Sequence, residues 1–162
     1  MSYNTNTFLD NLQTLLIDNI SDLSTDLYKP LHADSIKVGN PARISRGVLQ
    51  YPAVIITLKN KTQEIDELGV FESKTSREIV LNVEILALTM ETSNPENADK
   101  ESRTLARNIE TLLEKNLELS QPSGWHLVLA TNTDYDESYI EESQTYQSTA
   151  NVQAEFRSWA VR

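Results

Sequence analysis

The longest β-like run in the chain, Arg77 to Met90 (REIVLNVEILALTM), constrains the fold more than any other feature. It alternates with period two. Ile79, Leu81, Val83, Ile85 and Ala87 face one way, and Val80, Asn82, Glu84, Leu86 and Leu88 the other. The first set is apolar and the second mixed. The spacing predicts a strand with one side against a core and the other partly covered.

The elements around this strand follow from composition and periodicity. Phe8, Leu9, Leu12, Leu15, Leu16 and Ile20 fall at helical spacing, which predicts a helix over Thr7 to Asn19 with Thr7 as its cap. Ser21 to Lys29 continues it weakly up to Pro30, and Ser35 to Val38 reads as a short strand before the Gly39-Asn40-Pro41 turn. Pro52 to Leu58 (PAVIITL) is β-branched and reads as a buried strand, with Arg43 to Leu49 a candidate partner ahead of it. Lys59 to Ser76 is polar apart from Val70-Phe71 and reads as a long hairpin or projecting loop. After the polar link at Glu91 comes Asn94-Pro95-Glu96, a helix start with Asn as cap and Pro at the first helical position. That helix is expected to reach about Leu119. Leu105, Ala106, Ile109, Leu112, Leu113 and Leu117 form its inner stripe; Glu101, Arg103, Arg107, Glu110, Glu114 and Lys115 lie outside, with Arg107 in reach of Glu110. Trp125 to Thr131 (WHLVLAT) reads as a strand, Asp134 to Glu142 as an acidic connection, and Tyr146 to Val161 as the closing β run. Phe156 and Trp159 point to opposite faces of that run.

The order is helix, strands, helix, strands, without strict βαβ alternation. It predicts an α+β fold: a mostly antiparallel sheet with two main helices packed on one face. The 162 residues are expected to make one domain, with the helix at 7–19, strands within 43–90, the helix at 95–119 and strands within 125–161. A chain of this length buries roughly 70% of its unfolded surface.

Charge and residue inventory exclude several functions. Fourteen Lys and Arg stand against 24 Asp and Glu, a formal net charge of -10, which argues against general nucleic-acid binding. Cysteine is absent, so disulfides, thiolate catalysis and Cys-ligated metals are excluded. The four glycines, Gly39, Gly47, Gly69 and Gly124, are too scattered for a phosphate-binding loop. No apolar run reaches membrane-spanning length, and Met1 to Asn6 has no signal-peptide pattern. His32 and His126 have no sequence partner for general-base work. Asp134, Asp136, Glu137, Glu141 and Glu142 are oxygen-rich but lack the spacing of an EF-hand and read better as a solvated acidic turn. No catalytic residue, metal ligand or cofactor is therefore expected.

The distribution of charge points to association instead. Residues 1–28 hold four acids and no base, 29–77 hold eight bases and five acids, and the stretch between Lys115 and Arg157 holds seven acids and no base. A mildly basic segment on an acidic body fits self-association between copies, against the plainer reading of an uneven solvated surface. The candidate interface residues are Lys59, Lys61, Phe71, Lys74 and Arg77 in or beside the 59–76 segment, Asn94 in the 91–97 connection, and Trp159 opposite Phe156.

The opening helix TFLDNLQTLLIDNI, the strands PAVIITL and REIVLNVEILALTM, the helix NPENADKESRTLARNIETLLEKNLEL, then WHLVLAT and a closing strand form an ordered pattern. This pattern resembles the tail-terminator (tail-completion) proteins of long-tailed bacteriophages. The resemblance covers most of the chain and lies in the element order, with no residue motif. It implies a homohexameric ring in the virion, assembled in the host cytoplasm, that caps the tail tube and receives the head-side neck proteins. DNA would pass through the lumen without specific binding, and no catalytic residues are implied. Related neck and tail-tube proteins share similar order. The alternatives are a non-viral or other neck or adaptor module with a defined apolar groove, or a small enzyme built around His126 or a carboxylate pair.

Overall fold

The structure, a computed structural model, describes residues 5–40, 50–71, 74–91, 95–116, 118–119, 125–140 and 145–161. Along the chain run α1 (Thr5–Asp18), α2 (Ile20–Leu23), a 3-10 turn (Ala33–Ser35), β1 (Ile36–Val38), β2 (Ala53–Phe71), β3 (Lys74–Glu91), α3 (Pro95–Lys115), β4 (Glu118–Leu119), β5 (Trp125–Ile140) and β6 (Thr145–Val161). The strands form one sheet in the order β1-β2-β3-β6-β5-β4. Its neighbours are antiparallel except β1 and β2. The fold is α+β, as the element order predicts. No helix among the described residues is long and apolar enough to cross a membrane.

One face of the sheet carries the main core. Across it run the registered rows Ile56–Ile85–Val152, Val54–Ala87–Ala150 and Leu81–Phe156, all buried. Each large apolar side chain in these rows contributes about 1.5–3 kcal/mol by leaving water. Phe8, Leu12 and Leu16 of α1 and Leu105, Ile109 and Leu113 of α3 close over this face in the same cluster. The other face is mixed as expected: Ala53, Ile55 and Leu88 pack with Tyr51 and Leu86 at one end, while Asn82, Glu84 and Gln153 are only partly buried further along.

Local chemistry sets the boundaries. The helix α1 starts at Thr5, so Thr7 lies within its first turn and is not its cap. Gln13 Nε2 donates to the Ile36 carbonyl at 2.7 Å, and the Phe8 ring meets Phe156 edge-on with centroids 5.2 Å apart, tying α1 to the sheet. At the end of β1, Gly39 takes φ 148°, a left-handed value open to glycine, and its N–H donates to Ile56. The Thr57 hydroxyl donates to the Gly39 carbonyl and completes the turn.

Four further sequence expectations need correction. The second main helix ends at Lys115, short of Leu119, because Asn116 turns back on it. The Asn116 side chain donates to Leu112 at 2.7 Å and its N–H to Leu113 at 3.0 Å, occupying terminal carbonyls. Glu118 and Leu119 then pair as β4 with His126 and Trp125, and Leu117 lies outside the described residues. The expected acidic connection is, up to Ile140, part of β5. Each residue from Asn132 to Ile140 pairs with β6, while Asp134 and Asp136 stay exposed, so the strand uses their backbone and leaves their charges in water. Glu101 is not on the solvent side of α3. It is 4% exposed, and its carboxylate accepts the N–H groups of Tyr28 and Lys29 at 2.8 and 3.2 Å. Arg107 pairs with Asp26, and Glu110 accepts from Thr133, in place of the expected contact between the two.

The expected strand at 35–38 and the hairpin at 59–76 are present, the latter as the continuation of β2 into β3. The candidate strand Arg43 to Leu49 lies outside the described residues.

Candidate functional site

Six of the seven sequence-selected interface residues lie on β2, β3 or β6: four share the hairpin end of the sheet, and Lys59 and Lys61 stand nearer its middle. Lys59 and Lys61 lie on β2, Phe71 pairs with Lys74 near the hairpin end, Arg77 pairs with Ile65 on one side and Ala160 on the other, and Trp159 pairs with Glu78. Lys59 and Lys61 are exposed. For Phe71, Lys74, Arg77 and Trp159 the strand position is what is described. Asn94 lies outside the described residues.

The helical layer does not follow the hairpin to its end. The Thr89 hydroxyl donates to the Ala98 carbonyl at 2.6 Å, which places that part of α3 over the start of its return along β3. From Ala98 to Lys115 the helix advances about 26 Å, or about eight strand residues. It therefore reaches about the level of Leu81; Ile79 still packs in the main core cluster, and β3 from Lys74 to Glu78 runs on with its β2 partners and, from Ser76, with β6.

A β-bulge lies on β2 ahead of this arm. Leu58 pairs with Val83 and Asn60 with Asn82, leaving Lys59 as the extra residue. Lys59 Nζ meets Glu84 Oε2 at 3.3 Å, and the Asn82 amide donates to Asn60. Among the described residues β2 beyond Ile56 pairs only with β3, and a bulge and lysines on such a stretch discourage indiscriminate pairing with other chains. This reads as a managed edge, which sequence periodicity alone did not show because the bulge shifts the alternation by one residue.

Sequence reasoning missed a second surface, on the helical side. Tyr28 is 69% exposed beside the N-terminal half of α3. Around it lies a shallow depression of about 250 Å³ lined by Asp26, Tyr28, Lys100, Glu101, Arg103 and Thr104. Lys29, Lys100 and Arg103 are exposed. The loop beneath is fixed by Glu101, by Ser24 Oγ accepting from Leu31 N–H at 3.1 Å, and by Asn108 Nδ2 donating to Leu23 and Thr25. Asp26 sits at φ 62° and holds Arg107 at 3.4 Å. Nothing in the sequence marks this patch: Glu101 reads as one more outer charge of α3, and only the folding-back of the Tyr28 loop buries it.

The oxygen-rich stretch is partly occupied by its own neighbours. Asp134 accepts from Asn132 Nδ2 at 3.0 Å and Gln153 Nε2 at 3.4 Å. Among the described residues no group of three or more His, Asp or Glu is placed to hold a metal ion. His32 is exposed ahead of the 3-10 turn, and His126 sits in strand register between Glu118 and Arg157.

No protein-family model matches the sequence, and no curated protein matches it. Among solved structures, the chain is similar to one from a structure described as "Virion of native gene transfer agent (GTA) particle". The TM-score is 0.33 and the identity 7%, over 77% of this chain and 80% of that one. This is a weak likeness to a virion component, and a TM-score of that size supports no argument about function.

Proposed function

We propose that the protein is a structural component of a phage-like virion, a ring-forming cap that terminates the tail tube and joins it to the head-side neck. The observation that supports this most is the arm of β2 and β3 that outruns the helical layer and carries Phe71, Lys74 and Arg77, with Lys59 and Lys61 ahead of it on β2 and Trp159 on the adjoining strand. A polar arm held in a sheet reaches beyond its own subunit with little conformational freedom to lose on binding. It is the natural contact with the tube or a neighbour. A ring arises when one heterologous contact repeats until the rotation closes. With a net charge of -10, the assembled lumen would repel the DNA backbone and let the genome slide through.

Native mass spectrometry and light scattering, alone and with tube protein, test the reading. The expected result is a closed ring of fixed number, formed freely or on tube ends, and weakened by Lys59→Glu with Lys61→Glu. A strict monomer under both conditions would overturn it. A one-to-one complex with no closed ring would favour an adaptor module instead.

A further inference from the structure

We infer that the tip of the β2–β3 hairpin of one copy docks on the Tyr28 patch of the next. This rests on the ring reading and names the seat of the arm on its neighbour. The hairpin leaves the rest of the sheet behind before it turns. Among the described residues β1 leaves β2 at Ile56, and β6 accompanies β3 only to Ser76, opposite Val161. From Asp66 to Phe71, and on the return from Lys74, the pair has no third strand beside it. A two-stranded ribbon is marginally stable by itself, and packing against another surface supplies what it lacks.

The composition of the tip defines the surface that suits it. Between residues 64 and 74, Glu64, Asp66, Glu67 and Glu72 stand against the single base Lys74, with Ile65, Leu68, Val70 and Phe71 among them. The complement is a basic surface with an apolar anchor, and the Tyr28 patch has both. Tyr28 is 69% exposed, more than any other large hydrophobic side chain among the described residues, and it shares one depression with Lys100 and Arg103. Lys29, the next residue, is also exposed. Among the described residues Lys29, Lys100 and Arg103 are in no ion pair, while the acids beside them are engaged, Glu101 by two backbone N–H groups and Asp26 by Arg107. An exposed tyrosine ringed by bases is a common interface anchor, and opposite charge selects its partner. The loop is already fixed from below by Glu101, Ser24 and Asn108, so little order remains to be imposed on binding.

The two surfaces lie at opposite ends of the subunit. Glu101 follows Ala98 by less than one helical turn, and the Ala98 carbonyl is bonded to Thr89, at the end of β3 away from the hairpin. Roughly 50 Å of strand separates Thr89 from Lys74, so the tip does not meet the patch of its own chain. A contact between different ends of two copies is heterologous, and it generates a ring or an open chain and not a two-fold dimer.

Two measurements test this. The chain has no cysteine, so Leu68→Cys and Thr104→Cys, made as separate proteins and mixed at high concentration with a short bis-maleimide, report the contact directly. A covalent pair joining the two variants is expected, well above any product of either variant alone. The second measurement follows association by light scattering and native mass spectrometry, with thermal unfolding to check that each protein folds. One protein carries Lys100→Glu and Arg103→Glu, the other Glu64→Lys and Glu67→Lys. Each alone brings like charges together and should associate ~100-fold more weakly than wild type, and an equal mixture should recover, because every contact again pairs opposite signs. Unchanged association of either variant alone, a mixture that fails to recover, or a wild-type protein that stays monomeric at high concentration would overturn the assignment. A closed ring without the covalent pair would overturn this contact and leave the capping role standing. A cross-linked open chain that never closes would uphold the contact and count against the cap.

Discussion

Replacing Phe8 and Phe156 by leucine tests whether α1 covers the core face of the sheet. Phe156 is fully buried on β6, opposite Leu81, and Phe8 of α1 is 2% exposed with its ring inclined 66° to that of Phe156. Truncating either to alanine would cost ~3–5 kcal/mol. The two together approach the whole stability of a domain, ~5–15 kcal/mol. Leucine keeps most of the apolar volume, so Phe8→Leu and Phe156→Leu should each cost ~1–2 kcal/mol. For a chain of this size that lowers Tm by about 2–8 °C. The edge-on pairing adds ~0.5–1.5 kcal/mol beyond area, and a double-mutant cycle recovers it as a coupling energy. Urea unfolding followed by circular dichroism gives all four corners. Additivity within ~0.3 kcal/mol would refute direct contact, and with it the placement of α1 on the core face.

Three further outcomes are expected. Glu101→Ala should cost ~1–3 kcal/mol and speed hydrogen exchange at the Tyr28 and Lys29 amides, whereas Glu101→Gln should retain much of that protection; unchanged exchange in the alanine variant would contradict the clamp. Asn151 carries a buried Oδ1 with no hydrogen-bond partner on a central strand, so Asn151→Val should be neutral or stabilising by up to ~1 kcal/mol in denaturant unfolding, and a loss of more than that would contradict the assignment. Lys59 is half exposed, so removing its pairing with Glu84 by Glu84→Gln should change stability by less than ~0.5 kcal/mol, and a larger loss would mean that the bulge depends on the ion pair.

The sheet and the two main helices were legible because their apolar positions repeat with clean periods. The alternation of Ile79 to Ala87 and the stripe of Leu105 to Leu113 each report one buried face directly. What periodicity missed depended on contacts distant in sequence. Asp134 to Ile140 looks like an acidic loop until β6 supplies its backbone partners. Glu101 looks solvent-facing until the Tyr28 loop, over seventy residues away, places two N–H groups on its carboxylate. The same fold-back creates the basic Tyr28 patch, since Lys29 and the α3 bases are neighbours only in three dimensions. The hairpin arm lay between these cases. Its polar composition was visible, but the bulge at Lys59 and the distance by which the strands outrun α3 emerged only from register and helix length.

The capping role is tested most directly by negative-stain electron microscopy of virions assembled without this protein. Tails of uncontrolled length, or finished tails never joined to heads, are the expected result, with both defects reversed when the wild-type protein is restored. Particles of normal tail length, fully joined to their heads, would contradict it.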